Sequence, residues 1–233
     1  MSNKQPPSPE ELSRRKIHEK AVGEHLDRIQ REFHQGFEFL QKYKKTVSIF
    51  GSSMTPPEGE RYQHAHDLAK KIAEETGYAI VDGGGPGIME AASRGAQDGG
   101  GTSIGLRINL LRERTPNIYN TDSLDFNYFF TRKTMLAFAA EVYVFFPGGF
   151  GTFDELFSIL TLIQTNKIPR VPIVLFGSSF WNPLKEFIVK NMLEANHTID
   201  PQDLDLFEIT DSTDRVIEII RRAPVSEWWR NIN

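Results

Sequence analysis

The stretch that most limits what this chain can become runs from Val142 to Ile163. An apolar run, Val142 to Phe146, meets Pro147-Gly-Gly-Phe-Gly-Thr152, and a second apolar stretch follows from Leu156 to Ile163. The first run reads as a buried parallel strand and the last as a largely buried helix. A glycine-rich turn between strand and helix removes side chains. An anion can then approach the N–H groups of the first helical turn, which have no intrahelical acceptor. Thr152 is placed to cap that helix and to offer its hydroxyl to a phosphate. Glu155 falls about one turn in, near the same mouth. A carboxylate beside a phosphate site is electrostatically unfavourable, so its presence suggests chemistry. Asp154 is turned about 100° from it and reads as a charge at the helix start.

The rest of the chain supplies the frame such a junction needs. Thr46 to Phe50 reads as the first core strand, with Gly51-Ser52-Ser53 as the turn after it, the place where doubly wound folds bind ligands. Glu58 to Thr76 reads as a helix with Tyr62, Ala65, Leu68, Ala69, Ile72 and Ala73 on its inner face, ended by Gly77. His64 and His66 lie two apart and share no helical face, so they read as ordinary helix residues and not as metal ligands. Tyr78 to Asp82 is a second strand. Gly83-Gly-Gly-Pro-Gly87-Ile88-Met89 then opens a helix to about Gln97. This is neither the dinucleotide fingerprint nor a P-loop. It is a second phosphate cradle by its physics, the plainer alternative being that its glycines only allow tight strand–helix packing.

Thr102 to Ile108 is a third strand. Leu124 to Phe130 reads as a short strand leading into a helix from Thr131 to Ala140, with Arg132 and Lys133 in its first turn. Cations there oppose the helix macrodipole, which makes sense if an anion lies between them and the glycine loops; a surface ion pair is the alternative. Val171 to Phe176, a helix from Phe180 to Asn196, Phe207 to Thr210 and a helix from Val216 to Arg222 capped within Asp211 to Asp214 complete the alternation. Strands alternating with helices predict an α/β fold: a doubly wound, mostly parallel, Rossmann-like sheet with helices on both faces, over residues 46–233.

Before that domain, residues 1–8 read as a disordered tail. Ser8-Pro9-Glu10-Glu11 is a helix start, with a serine cap and proline at the first helical position. Residues 9–45 read as an N-terminal helical extension of one or two amphipathic helices, with Gly36 as a candidate break. Packing against the main domain is the preferred role and a subunit contact the alternative. The chain carries 31 acidic against 27 basic side chains and no basic run, so neither nucleic acid nor a membrane is an expected partner. With no cysteine there is no disulfide, thiolate metal site or cysteine nucleophile. No uninterrupted apolar span is long enough to cross a bilayer, and a cytoplasmic protein is expected.

Pro147 to Glu155 resembles the PGGxGTxxE motif of the LONELY GUY (LOG) family, formerly called lysine decarboxylase-like. Gly83 to Met89 resembles the family's GGGxxGxM loop, Arg132-Lys133 its Arg-Lys pair, and Gly51-Ser52-Ser53 its first turn. The resemblance covers about Thr46 to Arg222, and the N-terminal helices and the position of Met135 resemble a longer bacterial branch. It implies a phosphoribohydrolase that cleaves the N-glycosidic bond of a nucleoside 5′-monophosphate, cytokinin or AMP-like, to free base and ribose 5-phosphate. It implies Arg132 and Glu155 as the catalytic pair. Substrate contacts would come from Gly51, Ser52, Ser53, Gly84, Gly85, Gly87, Met89, Gly148, Gly149, Gly151 and Thr152, with Glu113, Lys133 and Thr161 as further nucleotide contacts. At least a homodimer is implied, and no cofactor or metal. Whether Arg132 anchors substrate or assists departure of the base stays open.

Two other functions fit the same residues. One is a nucleotide or molybdenum-cofactor binding protein without glycosidase activity, since related folds carry that cofactor. The other is a pyridoxal-dependent decarboxylase with Lys133 as Schiff base, although nothing in the sequence suggests a site for a pyridine ring. Retention of both Arg132 and Glu155 favours the hydrolase.

Overall fold

The short apolar runs form a single seven-stranded parallel sheet in the computed structural model, which describes residues 9–109 and 117–225, with side chains from residue 18 onward. The strands are β1 (Thr46–Phe50), β2 (Ala79–Asp82), β3 (Ser103–Ile108), β4 (Asp122–Phe126), β5 (Val142–Phe145), β6 (Ile173–Phe176) and β7 (Glu208–Thr210). Their order is β4-β3-β2-β1-β5-β6-β7. The central strands are buried on both faces, as continuous apolar runs require. One apolar cluster lies on each side of the sheet. The fold is Rossmann-like, as the alternation of elements predicts.

The helices are α1 (Pro9–Leu40), α2 (Glu60–Thr76), α3 (Ile88–Asp98), α4 (Phe129–Phe138), α5 (Phe150–Gln164), α6 (Ser178–Phe187) and α7 (Thr213–Arg222). The six expected inner residues of α2 are its buried residues, and its chain turns at Gly77. Ser212 caps α7 by accepting from the Arg215 N–H.

Three expectations need correction. The N-terminal extension is one unbroken helix, because Gly36 faces α4, where a Cβ would overlap the Met135 side chain. The expected serine cap and the tail before it lie outside the described residues. Helix α4 starts at Phe129, two residues early, so Arg132 and Lys133 are past its first three positions. Arg132 already donates its backbone N–H to Tyr128 at 3.2 Å. The helix expected from Phe180 is α-helical to Phe187 and π-helical from Ile188 to Ala195. Over eight residues, apolar spacing does not separate the two bonding patterns. A 3-10 turn, Pro201–Leu206, follows.

The order reverses between β1 and β5. The loops after these two strands therefore part toward opposite faces and leave a crevice at the carboxyl ends of the strands. Among the described residues no helix is long and apolar enough to cross a membrane.

Candidate active site

Backbone hydrogen bonds tie the three glycine loops together at that crevice. The Ser52 N–H donates to the Pro147 carbonyl at 3.1 Å, and the Ile88 N–H donates to the Ser52 carbonyl at 3.0 Å. The loops after β1, β2 and β5 thus share one end of the sheet. Gly87, at φ 71°, makes the second bond possible. A Cβ on it would overlap the Ser52 carbonyl, in a backbone region that side chains avoid.

These loops line a cleft of about 890 Å³. Gly51, Ser52, Ser53, Gly84, Gly85, Met89, Arg132, Gly149, Gly151, Thr152 and Glu155 all face it, together with Asp154. Gly87 and Gly148 stand behind the wall as packing elements, Gly148 closely against the Thr152 side chain. Lys133 and Thr161 are not on the wall. Lys133 Nζ holds the Asp154 carboxylate at 2.5 Å, and the Thr161 hydroxyl donates to the Phe157 carbonyl at 2.7 Å. Glu113 lies outside the described residues.

Thr152 does not cap α5. The N-cap is Gly149, and Thr152 is the third helical residue, 6% exposed. Its N–H and that of Phe153 both reach the Gly149 carbonyl. The N–H groups of Gly149, Phe150 and Gly151 at the helix entrance have no intrahelical acceptor, and both glycines line the cleft. An anion seated there meets three amides and the positive end of the helix dipole. The Ser52 N–H, in contrast, is already engaged. Asp154 is the fifth helical residue, paired to Lys133 with its own side chain 64% exposed. Such a pair contributes about 1 kcal/mol or less.

Glu155 and Arg132 are the most deeply set charged groups on the cleft wall itself. Glu155 Oε2 is buried with no hydrogen-bond partner. Burial raises its carboxyl pKa to about 7 against the pull of Lys133 and Arg132, with Asp154 adding a smaller upward push. An unpaired buried oxygen on a wall of glycines is costly for folding and suited to accepting a proton or facing a cation. Arg132 donates from Nε to the Leu106 carbonyl at 2.7 Å and from Nη2 to the Gly83 carbonyl at 3.3 Å. Burial lowers its pKa, while Glu155 and Asp82 act in the opposite direction.

Several residues of the site carry no local motif and were not anticipated. Asp82, fully buried at the end of β2, accepts the Gly84 N–H at 2.6 Å and the hydroxyl of Ser93. Asn120 donates to it at 3.3 Å and to Ser93 at 2.9 Å, and Asn117 also donates to Ser93. This network fixes Gly84 at φ 67°. Burial pushes Asp82 up to about 6 even with these donors and Arg132 nearby. Asp82→Ala is expected to leave the Gly84 N–H unpaired, while the Ser93 hydroxyl keeps the Met89 carbonyl at 3.0 Å as its acceptor. That should cost about 1–3 kcal/mol, the penalty of one buried unsatisfied group. Thermal melting checks it, and a melting temperature equal to the parent's would show that the network does not hold the loop. Arg107 and Asp125 form a two-pronged ion pair, at 2.8 and 2.9 Å, farther along the cleft. Phe129 and Phe150 stand at the mouth, 64% and 97% exposed. For Phe150 the one available signal was its place between Gly149 and Gly151. Among the described residues no group of three or more metal-binding side chains occurs.

Comparison with known proteins bears on the family and the fold. Residues 89–220 match the family model described as possible lysine decarboxylase, which leaves α1 outside the matched region. A probable cytokinin riboside 5′-monophosphate phosphoribohydrolase of Arabidopsis thaliana is 26% identical over 153 residues, covering 65% of this chain and 76% of that protein. The cytokinin riboside 5′-monophosphate phosphoribohydrolase of Rhodococcoides fascians is 25% identical over 154 residues, covering 65% and 77%. Among solved structures, the molybdenum cofactor carrier protein of Chlamydomonas reinhardtii superposes with a TM-score of 0.57 at 21% identity, over 77% of this chain and 99% of that one. That last likeness speaks to the fold alone.

Proposed function

The chain belongs to the LONELY GUY family, the one whose model is described as possible lysine decarboxylase, and from that premise we propose that it hydrolyses the N-glycosidic bond of nucleoside 5′-monophosphates. The products are the free base and ribose 5-phosphate. The observation that carries the reading is the buried, unpartnered Glu155 oxygen on the wall of the cleft that also holds Gly149, Phe150 and Gly151 at the entrance of α5.

In this reading the 5′-phosphate rests on the amides of 149–151 and the Thr152 hydroxyl. Its binding energy holds the sugar against Glu155. As the C1′–N bond breaks, its electron pair leaves with the base and the ribose ring becomes cationic. The Glu155 carboxylate stabilises that cation and takes a proton from the water that adds to C1′, and the departing base gains a proton in its turn, so one water is consumed for each base released. Arg132 lies over β2 and β3 by its bonds to Gly83 and Leu106. There it serves as a fixed cation for the departing base or the sugar hydroxyls. The decarboxylase alternative finds little support, because the candidate Schiff-base amine of Lys133 is held by the Asp154 carboxylate and Lys133 itself does not line the cleft. A carrier without turnover is the second reading, and it rests on the likeness of fold.

Incubation with AMP, GMP, CMP, UMP and a cytokinin riboside 5′-monophosphate, followed by chromatography, separates the two. Free base together with ribose 5-phosphate is the expected result. Tight binding of an intact nucleotide with no base released would favour the carrier.

The proposed macromolecular partner is a second copy of the chain. Phe129, Phe130 and Phe150, from half to almost fully exposed, make an apolar rim at the cleft mouth. Covering each would contribute up to about 1.5–3 kcal/mol. Light scattering is expected to give at least twice the 26.6 kDa chain mass, and a monomer at all concentrations would dismiss the dimer.

A further inference from the structure

Helix α4 brings Arg132 to the cleft, yet it supplies nothing to satisfy its own N-terminus. Tyr128 at its N-cap makes no side-chain cap, and its first turn holds no acidic residue. Glu32 of α1, 95 residues before Asn127, supplies the acid and takes up the N–H groups of the two residues that lead into the helix. Its Oε1 accepts the Asn127 N–H at 2.8 Å and the Asn127 side-chain amide at 2.9 Å. Its Oε2 accepts the Thr131 hydroxyl and, at 3.4 Å, the Tyr128 N–H. All these donors lie in the five residues just before Arg132. Glu32 is 6% exposed. Burial alone would push its carboxyl up, but the bonds from Thr131, Asn127 and Tyr128 hold it below its ordinary value, so it stays charged. A buried carboxylate at the positive end of a helix offsets the cations that follow.

The same seam continues on both sides of Glu32. His25 Nδ1 lies 2.8 Å from the Tyr128 hydroxyl, and Phe37 meets Phe138 edge to face at 5.6 Å. Gly36 makes room for Met135. Helix α1 therefore grips α4 from its N-cap to its last turn. Of the cleft wall, Asp125 lies just before the stretch that Glu32 binds and Phe129 lies within it.

We propose that Glu32 is a positioning residue for Arg132, which makes the N-terminal helix part of the active-site framework. The kinetic side of this inference rests on the hydrolase reading, and its structural side rests on the Arg132 geometry alone. Displacement by about 1 Å of a group that orients substrate is enough to cost on the order of 100-fold in rate. Glu32→Gln keeps the shape and removes the charge. It is expected to lower kcat for base release about 10- to 100-fold with KM within about threefold. In an Arg132→Ala background the same change is expected to have less than about a twofold effect, because the group it positions is gone. A side chain that merely supported the fold would lower both backgrounds equally.

The second readout is the Arg132 Nε–H signal in nitrogen-15 NMR, assigned by its loss in Arg132→Lys. It is expected to exchange with water at least about ten times faster in Glu32→Gln. If the parent releases no base from any nucleotide, the hydrolase reading fails and the NMR signal decides the positioning role. If Glu32→Gln does not fold, Thr131→Val, which removes one donor to the carboxylate, is measured in both ways instead. Parent-like kcat in an active enzyme, additive losses in the double variant, or an unchanged exchange rate each overturn the proposal.

Discussion

Glu155→Gln is expected to abolish nearly all base release, with kcat lower by about 10²–10⁴-fold, the range that a positioned general base contributes. Nucleotide affinity is expected to stay within about threefold, because the phosphate amides of 149–151 are untouched. The same variant should be no less stable than the parent. The parent buries a carboxylate oxygen without a partner, and the neutral amide removes that liability. The pH dependence follows from the same group. The folded carboxyl titrates at about 7 against an ordinary 4.5. Between those values the folded protein keeps a proton that the unfolded chain has lost, so this contribution is complete below about 4.5 and is lost as pH rises through about 7. Above pH 7 Glu155→Gln is therefore expected to exceed the parent by up to roughly 3 kcal/mol, at 1.36 kcal/mol per pH unit. Activity runs the other way, because the ionised form is the one that accepts a proton, and kcat/KM of the parent should rise through pH 7. Asp154→Asn is the control, expected within a fewfold of the parent because that side chain is exposed and paired to Lys133. Full turnover by Glu155→Gln, or an equal loss in Asp154→Asn, would assign the chemistry elsewhere.

Arg132→Ala carries the second large effect. The guanidinium connects the Leu106 carbonyl, the Gly83 carbonyl and two carboxylates, Glu155 and Asp82, that depend on its charge. Its removal should cost about 1–3 kcal/mol for each carbonyl left unpaired and about 10²–10³-fold in kcat/KM. With the cation gone, the carboxyl of Glu155 is expected to titrate higher still, so the acid limb of the rate profile moves to higher pH. Arg132→Lys keeps the charge but not the fork, since an ammonium cannot span both carbonyls. It should restore the position of the acid limb better than it restores the rate. Rate profiles and melting curves of the two variants check this. An unmoved acid limb in Arg132→Ala would show that Arg132 does not set the charge state of Glu155.

The parts of this molecule that local pattern governs were legible in the sequence. Apart from β4, expected over Leu124 to Phe130 and found over Asp122–Phe126, the apolar runs became strands within one or two residues, and the inner face of α2 was read residue by residue. The glycine loops and Glu155 were legible because a turn without side chains followed by a lone acid has few structural uses. What escaped depends on residues far apart in the chain. The start of α4 is set by Glu32, so no local signal near Phe129 marks it, and the apolar run there read as strand. Asp82 looked like the end of a strand, because its donors Ser93, Asn117 and Asn120 come together only in the folded chain. Thr152 read as a cap from its type, yet Gly149 already ends the loop and places the threonine inside the helix.

The most direct test of the account is a crystal structure of Glu155→Gln with a nucleoside 5′-monophosphate bound. The expected result is the 5′-phosphate on the amides of 149–151 beside Thr152, with C1′ of the ribose facing residue 155 and Arg132 beyond it. A phosphate seated outside the glycine loops, or a ribose whose C1′ is turned away from residue 155, would contradict it.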